Sequence, residues 1–253
     1  HRTSMPERQV DPPPERNAGQ ALTAHHQLYL QAEQREPGRF PGAFEDLRHR
    51  CIVETLRLTG VRVTDEEVTH ALRDRQRPPS AKDALIVGQR EALAAVENAA
   101  TERKPLDGSL LSMVHSLSSP PHGGSFRSGP IQSRFENVEP SRATDIGDKI
   151  SNLTDWLDSQ GVRCLQAPEK AALAFVRLLE IAPFANGNFR SSHLILNYFA
   201  YGGGYPPFFL QSGESDEVRK DIERALRCDT KSLVERLTAA QMASLRYCLQ
   251  SVT

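Results

Sequence analysis

Apolar positions recur at helical spacing along most of the chain. Phe44, Leu47, Cys51, Ile52 and Leu58 form one stripe, Leu85 and Val96 belong to another, and Leu110, Leu111, Val114 and Leu117 form a third. Further stripes follow at Ile146, Ile150, Leu153 and Leu157, at Val218, Ile222 and Leu226, and at Leu233, Leu237, Leu245 and Leu249. Residues three, four and seven apart share one face of a helix, so each stripe predicts an amphipathic helix. Start signals agree: Thr64 precedes Asp-Glu-Glu-Val and Ser215 precedes Asp-Glu-Val-Arg, each read as an N-cap followed by first-turn acids. There is no internal repeat. The pattern predicts an all-α bundle.

The periodicity breaks in three places. Residues 1–22 are rich in Pro and charge and offer no face to bury, which predicts a disordered tail, with His1–Ser4 read as a cloning remnant before Met5. Ser118–Pro140 holds too much Pro and Gly for a helix, and its Ser125–Phe135 portion reads as a short β-hairpin. A loop this long inside a compact domain is often functional. The third break is Pro183-Phe-Ala-Asn-Gly-Asn188. Ala172, Phe175, Val176 and Leu179 predict a helix leading in, and Leu194, Ile195 and Tyr198 a helix leading out. Gly187 frees the turn, and the amides at the start of the second helix can face an anion.

Composition adds exclusions. The chain has 253 residues, a net charge of −1, 38% hydrophobic and 25% charged residues, enough to bury a core. Near-neutral charge without a basic, aromatic-rich run argues against nucleic acid as a partner. No stretch approaches the ~20 apolar residues of a membrane span and no signal-peptide core is visible, so a cytoplasmic protein is expected. Cys51, Cys164, Cys228 and Cys248 lack zinc or redox spacing and read as reduced thiols. Adjacent His25 and His26 point apart on a helix, so no metal site is expected there. His122 and Arg127 read as solvated by default.

In the order of these parts the chain resembles the Fic (Fido) family, across roughly residues 40–240. The family loop reads His-Pro-Phe-x-Asp/Glu-Gly-Asn-Gly/Lys-Arg-x-x-Arg; here Pro183, Phe184, Gly187, Asn188 and Arg190 match. "GGSFRSGPI" resembles the family's β-hairpin flap, which docks a target protein, and "GGGYPPFFL" after the second helix is also similar. The resemblance implies a Fic-type helical bundle with a flap, divided into a tail (1–22), an N-terminal helical extension (23–105) and a core (106–253). It implies phosphate or nucleotide contacts at Asn186, Gly187, Asn188, Phe189, Arg190 and His193, and target docking at Ser125, Phe126, Arg127, Gly129 and Ile131.

The departures bear on function. Ala182 stands at the family's catalytic His, Asn186 at its Mg²⁺-binding acid, Phe189 at a small or Lys position, and His193 at the second Arg. Thr59 aligns with the Glu of the family's inhibitory helix. The resemblance therefore implies a diverged Fic protein that keeps an anion or nucleotide loop, with Mg²⁺ binding weakened or lost, and that does not carry out ordinary AMP transfer. His193 is a weak candidate for a replacement base. The other readings are a Fic-type transferase with non-standard chemistry or donor, an ordinary adenylyltransferase with an engineered His-to-Ala change, and an interaction module that uses the flap. The partners expected are a phosphate-bearing small molecule or nucleotide and a target protein at the flap.

Overall fold

The computed structural model describes residues 16–73 and 80–251. Its α-helices are α1 (Arg16–Arg35), α2 (Pro41–Leu58), α3 (Asp65–Arg73), α4 (Ala81–Thr101), α5 (Gly108–Ser118) and α6 (Ile146–Leu157). They continue with α7 (Gln160–Arg163), α8 (Ala167–Ile181), α9 (Asn188–Gly202), α10 (Ser215–Leu226) and α11 (Lys231–Gln250). The all-α expectation holds, and no strand occurs among the described residues.

The sequence of α9 places it at the centre. Phe189, Leu194, Ile195, Leu196, Phe199 and Ala200 are buried, as are Ser191, Ser192, His193 and Asn197, so burial runs around the whole helix instead of along one stripe. A helix buried all round belongs in the middle of a bundle, and α9 packs against α8, α4, α5 and α2. Its buried Asn197 is satisfied internally. Asn197 Oδ1 accepts from the amide of Phe208 at 2.9 Å, and its Nδ2 donates to the Phe208 carbonyl at 3.0 Å, tying the chain after Gly204 back onto the helix.

Cys51, Leu58, Ala92, Leu93 and Val96 share one core cluster with Phe175, Leu178 and Leu194. The region read as a separate N-terminal extension therefore contributes to the same core as the loop helices. The tail boundary is also corrected: α1 starts at Arg16, and Leu22 is fully buried with Tyr29, Leu245 and Cys248. The Pro run ends at Pro14, and helical periodicity takes over just beyond it. The rest of the tail lies outside the described residues. Thr64 caps α3 as expected, and Glu67 makes the cap reciprocal, its carboxylate accepting from the Thr64 amide. Ser215 does not cap α10; it is the first helical residue, after a 3₁₀ turn at Ser212–Glu214.

The hairpin expected in the flap is absent. The segment runs from α5 to α6 without a ladder, because its peptide groups bond elsewhere: the Arg127 amide donates to Pro183 O at 2.9 Å and the Ser141 amide to Glu180 O at 3.2 Å. Local alternation cannot reveal that both ends of the segment pair with one helix terminus far along the chain.

Candidate functional site

Helix α8 is capped by Ala182, which adopts a left-handed conformation with φ 46° and ψ 65°. Gly187, before α9, has φ 68°. A left-handed residue is costly for any side chain but Gly, so the bend at Ala182 needs outside support. Arg127 supplies it. Its Nε donates to Ala182 O at 2.7 Å, Nη1 to Gly129 O at 2.8 Å, and Nη2 to Ser141 O and, at 3.3 Å, to Ile181 O. Two of these acceptors are terminal carbonyls of α8, which have no intrahelical donor. Arg127 is 8% exposed, so the solvated role expected of it is corrected: the side chain is an internal clamp.

Within the loop, Asn188 reaches backward: its Oδ1 accepts from the Phe184 amide at 2.9 Å and its Nδ2 donates to Phe184 O at 2.7 Å. His115 supports the same turn. Its ring stacks on Phe184 with centroids 3.7 Å apart and planes 2° from parallel. Nδ1 accepts from the Gly124 amide at 2.9 Å, which places the proton on Nε2, and Nε2 donates to Asn186 O at 2.9 Å. Burial lowers the pKa of His115. Nothing local in the sequence links position 115 to the loop, and the sequence reading missed it. A Cβ on Gly187 would lie 2.7 Å from Ser119 Oγ and 3.2 Å from His115 Nε2, so Gly is required there for space as well as conformation.

Loop and segment enclose a pocket of about 260 Å³. Ala182, Asn186, Gly187, Asn188, Phe189 and Arg190 line one side, Ile131 and Arg134 another, and Thr59 the end of α2. The positions singled out in the loop, apart from His193, thus meet in one place, and Thr59 meets them. Phe189 stands where the family resemblance places a small residue or Lys. Its ring turns inward, edge-on to Phe175 at 5.7 Å, and is 8% exposed. Arg190 is held by neutral partners, Nε to Ser118 O at 2.9 Å and Nη2 to Ser119 Oγ at 2.8 Å, at the C-terminus of α5. Among the flap residues Ile131 lines the pocket, Gly129 accepts from Arg127, Ser125 is exposed, and Phe126 packs toward Phe184 with ring centroids 5.6 Å apart. Arg134, which the sequence reading did not single out, donates to Leu58 O at 2.8 Å with its guanidinium 4.7 Å from the Phe189 ring centre.

His193 faces away from this pocket. It is fully buried; Nε2 accepts from the Leu210 amide at 3.1 Å, which puts the proton on Nδ1, and Nδ1 bonds Thr55 Oγ1 at 2.8 Å. Thr55 in turn donates to Cys51 O at 2.6 Å. Both ring nitrogens are occupied, and neither is left for a phosphate or a substrate proton. Burial lowers its pKa to about 3. Between about pH 6.5 and 3 the unfolded chain takes up a proton that the folded His193 refuses, so stability is full above that window and falls as pH drops through it. Urea unfolding at several pH values checks this; His193→Gln should flatten the slope, and an unchanged slope would assign it to other groups.

Other expectations concern the chain at large. The cysteines are free thiols: Cys51 and Cys248 are buried, Cys164 and Cys228 exposed. No helix of the described residues is long and apolar enough to cross a membrane. Among the described residues no group of three or more His, Cys, Asp or Glu is placed to hold a metal ion.

Residues 105–200 match the Fic/DOC family. The protein adenylyltransferase fic-1 of Caenorhabditis elegans is 26% identical over 113 residues, 45% of this chain and 22% of the relative. The protein adenylyltransferase Fic of Aedes aegypti is 30% identical over 115 residues, 46% and 23% respectively. The chain thus spans about a quarter of the length of these relatives. A Fic-domain-containing signaling protein of Bacteroides thetaiotaomicron shares the fold at TM-score 0.82 and 18% identity, over 93% of this chain and 97% of that one. Residues 134–508 of C. elegans Fic-1 share it at TM-score 0.80 and 17% identity, over 94% and 72%. Residues 105–200 of this chain thus match the Fic/DOC family, and the helical fold around the loop just described is the one these Fic-domain structures share.

Proposed function

We propose that the chain is a Fic-family protein whose loop holds the phosphate end of a ligand and which does not carry out AMP transfer of the ordinary kind. The observation that carries this reading is the chemistry of the pocket lining. It contains two guanidiniums, Arg134 and Arg190, and no carboxylate, imidazole, thiol, amine or phenol. Positive charge without a base suits retention of an anion. General-base help contributes roughly 10²–10⁴-fold to a transfer rate, and the methyl group of Ala182 cannot supply it.

The first turn of α9 adds amides that have no intrahelical acceptor. Their partial positive charge favours an anion by a few tenths to ~2 kcal/mol, depending on burial. At about 260 Å³ the pocket is smaller than the roughly 300–1,000 Å³ of sites for drug-sized ligands, so it suits one or two phosphate groups while the remainder of a nucleotide lies outside. Mg²⁺, which the family resemblance implies, requires oxygen ligands and prefers carboxylates with phosphates. The lining offers it the neutral amides of Asn186, Asn188 and Gln132 and no acid, and this donor set does not fit.

The test is isothermal titration of the chain with phosphate, pyrophosphate and ATP, each with and without Mg²⁺, beside an assay with labelled ATP and a lysate. Binding that is insensitive to Mg²⁺, with no label transferred, is the expected result. Ala182→His alone should not restore transfer, because Asn186 remains. Absence of binding would sink the pocket reading; Mg²⁺-dependent labelling of protein hydroxyls would sink the claim of inactivity. Recovery of transfer by Ala182→His alone would point to an ordinary adenylyltransferase altered at one position.

A further inference from the structure

The geometry points to Arg134 as the anion-gripping residue of this pocket, a guanidinium that leaves the Leu58 carbonyl for a bound phosphate. The inference rests on the phosphate-pocket reading and deepens it. The Fic resemblance places the second arginine of the loop motif at residue 193, and in this chain that residue is a neutral histidine enclosed by Thr55 and Leu210. Arg190 is committed too: Ser118 and Ser119 hold its Nε and one terminal nitrogen, locking the side chain against α5.

Arg134 is placed differently. It enters from the segment opposite the loop and lines the same pocket as Gly187, Asn188 and Arg190. Its guanidinium lies over the Phe189 ring and makes one neutral hydrogen bond, to Leu58 O. No carboxylate pairs with it among the described residues. The charge that bears on it is that of Arg219, of like sign and itself paired with Glu223 at 3.1 Å. Arg134 is exposed, so water and no protein anion balances its charge, and a phosphate in the pocket would supply a counterion.

The exchange is favourable in kind. A hydrogen bond from a charged donor to a charged acceptor is stronger than one to a neutral carbonyl, and a guanidinium presents a fork that matches two phosphate oxygens. The face of Phe189 keeps the planar group oriented during the exchange, since arginine stacks on aromatic rings without giving up its edge donors. In the free protein the same side chain tethers the segment to the end of α2, beside Thr59. Anion binding would therefore release α2 from the segment.

The experiment compares the full chain with Arg134→Ala, Arg134→Lys and, as a charge control outside the pocket, Arg142→Ala, whose side chain is 83% exposed and paired with Asp145. Inorganic phosphate and pyrophosphate are titrated calorimetrically, and the rise in melting temperature that each ligand produces is recorded. Arg134→Ala should weaken pyrophosphate binding about tenfold or more and abolish most of the ligand-induced rise. Arg134→Lys should recover only part of the affinity, and Arg142→Ala should bind as the parent does. If the parent binds and Arg134→Ala binds equally well, the assignment to Arg134 falls while the pocket stands. If the parent binds neither anion, both readings fall together.

Discussion

Replacing Arg127 by Ala is expected to remove about 3–5 kcal/mol of stability, at the upper end of what a single substitution costs. Four carbonyl oxygens lose a charged donor at once: Ala182, Ile181, Gly129 and Ser141. Hydrogen bonds from charged groups contribute roughly 1.5–3 kcal/mol each, and a buried acceptor left without a donor costs ~1–3 kcal/mol, but these terms share one side chain and do not add. The lost clamp also leaves the left-handed turn at Ala182 unsupported. With a shift of roughly 2–4 °C per kcal/mol for a domain of this size, the melting temperature should drop by about 6–20 °C. Arg127→Lys should recover a minor part, because one ammonium cannot reach acceptors spread around a planar fork. Thermal and urea unfolding read both variants; a loss below about 1 kcal/mol for Arg127→Ala would show that water replaces the clamp.

Gly88→Ala is expected to be destabilising as well, for a steric reason. A Cβ at residue 88 would lie 2.1 Å from Leu117 O and 3.2 Å from its carbonyl carbon, both backbone atoms of α5. In an unobstructed helix the change would stabilise by ~1 kcal/mol, because Ala is the better helix former. Here α4 and α5 must separate, and overpacking of this kind costs about 1–3 kcal/mol; set against the helix-propensity gain, a net loss of up to about 2 kcal/mol is expected. The displaced part of α5 carries Ser118 and Ser119, the anchors of Arg190, and phosphate affinity should fall with stability. Gly147→Ala is the matched control, because nothing lies within 4 Å of its Cβ position. It should be neutral or slightly stabilising. Equal behaviour of the two variants in urea unfolding would refute the close-packing account.

The sequence carried the helices and the loop because their signals are local. A 3.6-residue stripe survives in any window that contains it, and Pro183 to Asn188 interrupts two such stripes. Where the reading failed, the deciding partner lay far along the chain. Arg127 reads as a loop cation until Ala182, 55 residues on, is known to lie against it. His193 reads as an anion partner until Thr55, 138 residues back, is seen to take its Nδ1. The hairpin expectation failed in the same way, since strand-like alternation says nothing about which carbonyl a given amide will find. Arg134 carried no signal of its own; its importance comes from what the fold leaves unpaired around it.

The segment from Arg127 to Ser141 leaves and rejoins the domain at one point. Its two ends bond to Pro183 O and Glu180 O, neighbours at the end of α8, and Arg127 closes the neck by donating to Ser141 O. Between the ends, the loop touches the scaffold again through Arg134, at Leu58 O, and through Phe135, buried in the core. The entropy of closing a flexible loop grows only logarithmically with its length, so doubling residues 128–140 would cost about 0.6 kcal/mol. A lineage could therefore lengthen or shorten this loop while the helices and the pocket floor stay fixed, provided the neck, Arg134 and Phe135 are kept. The fold separates the part free to vary from the part that must hold its geometry.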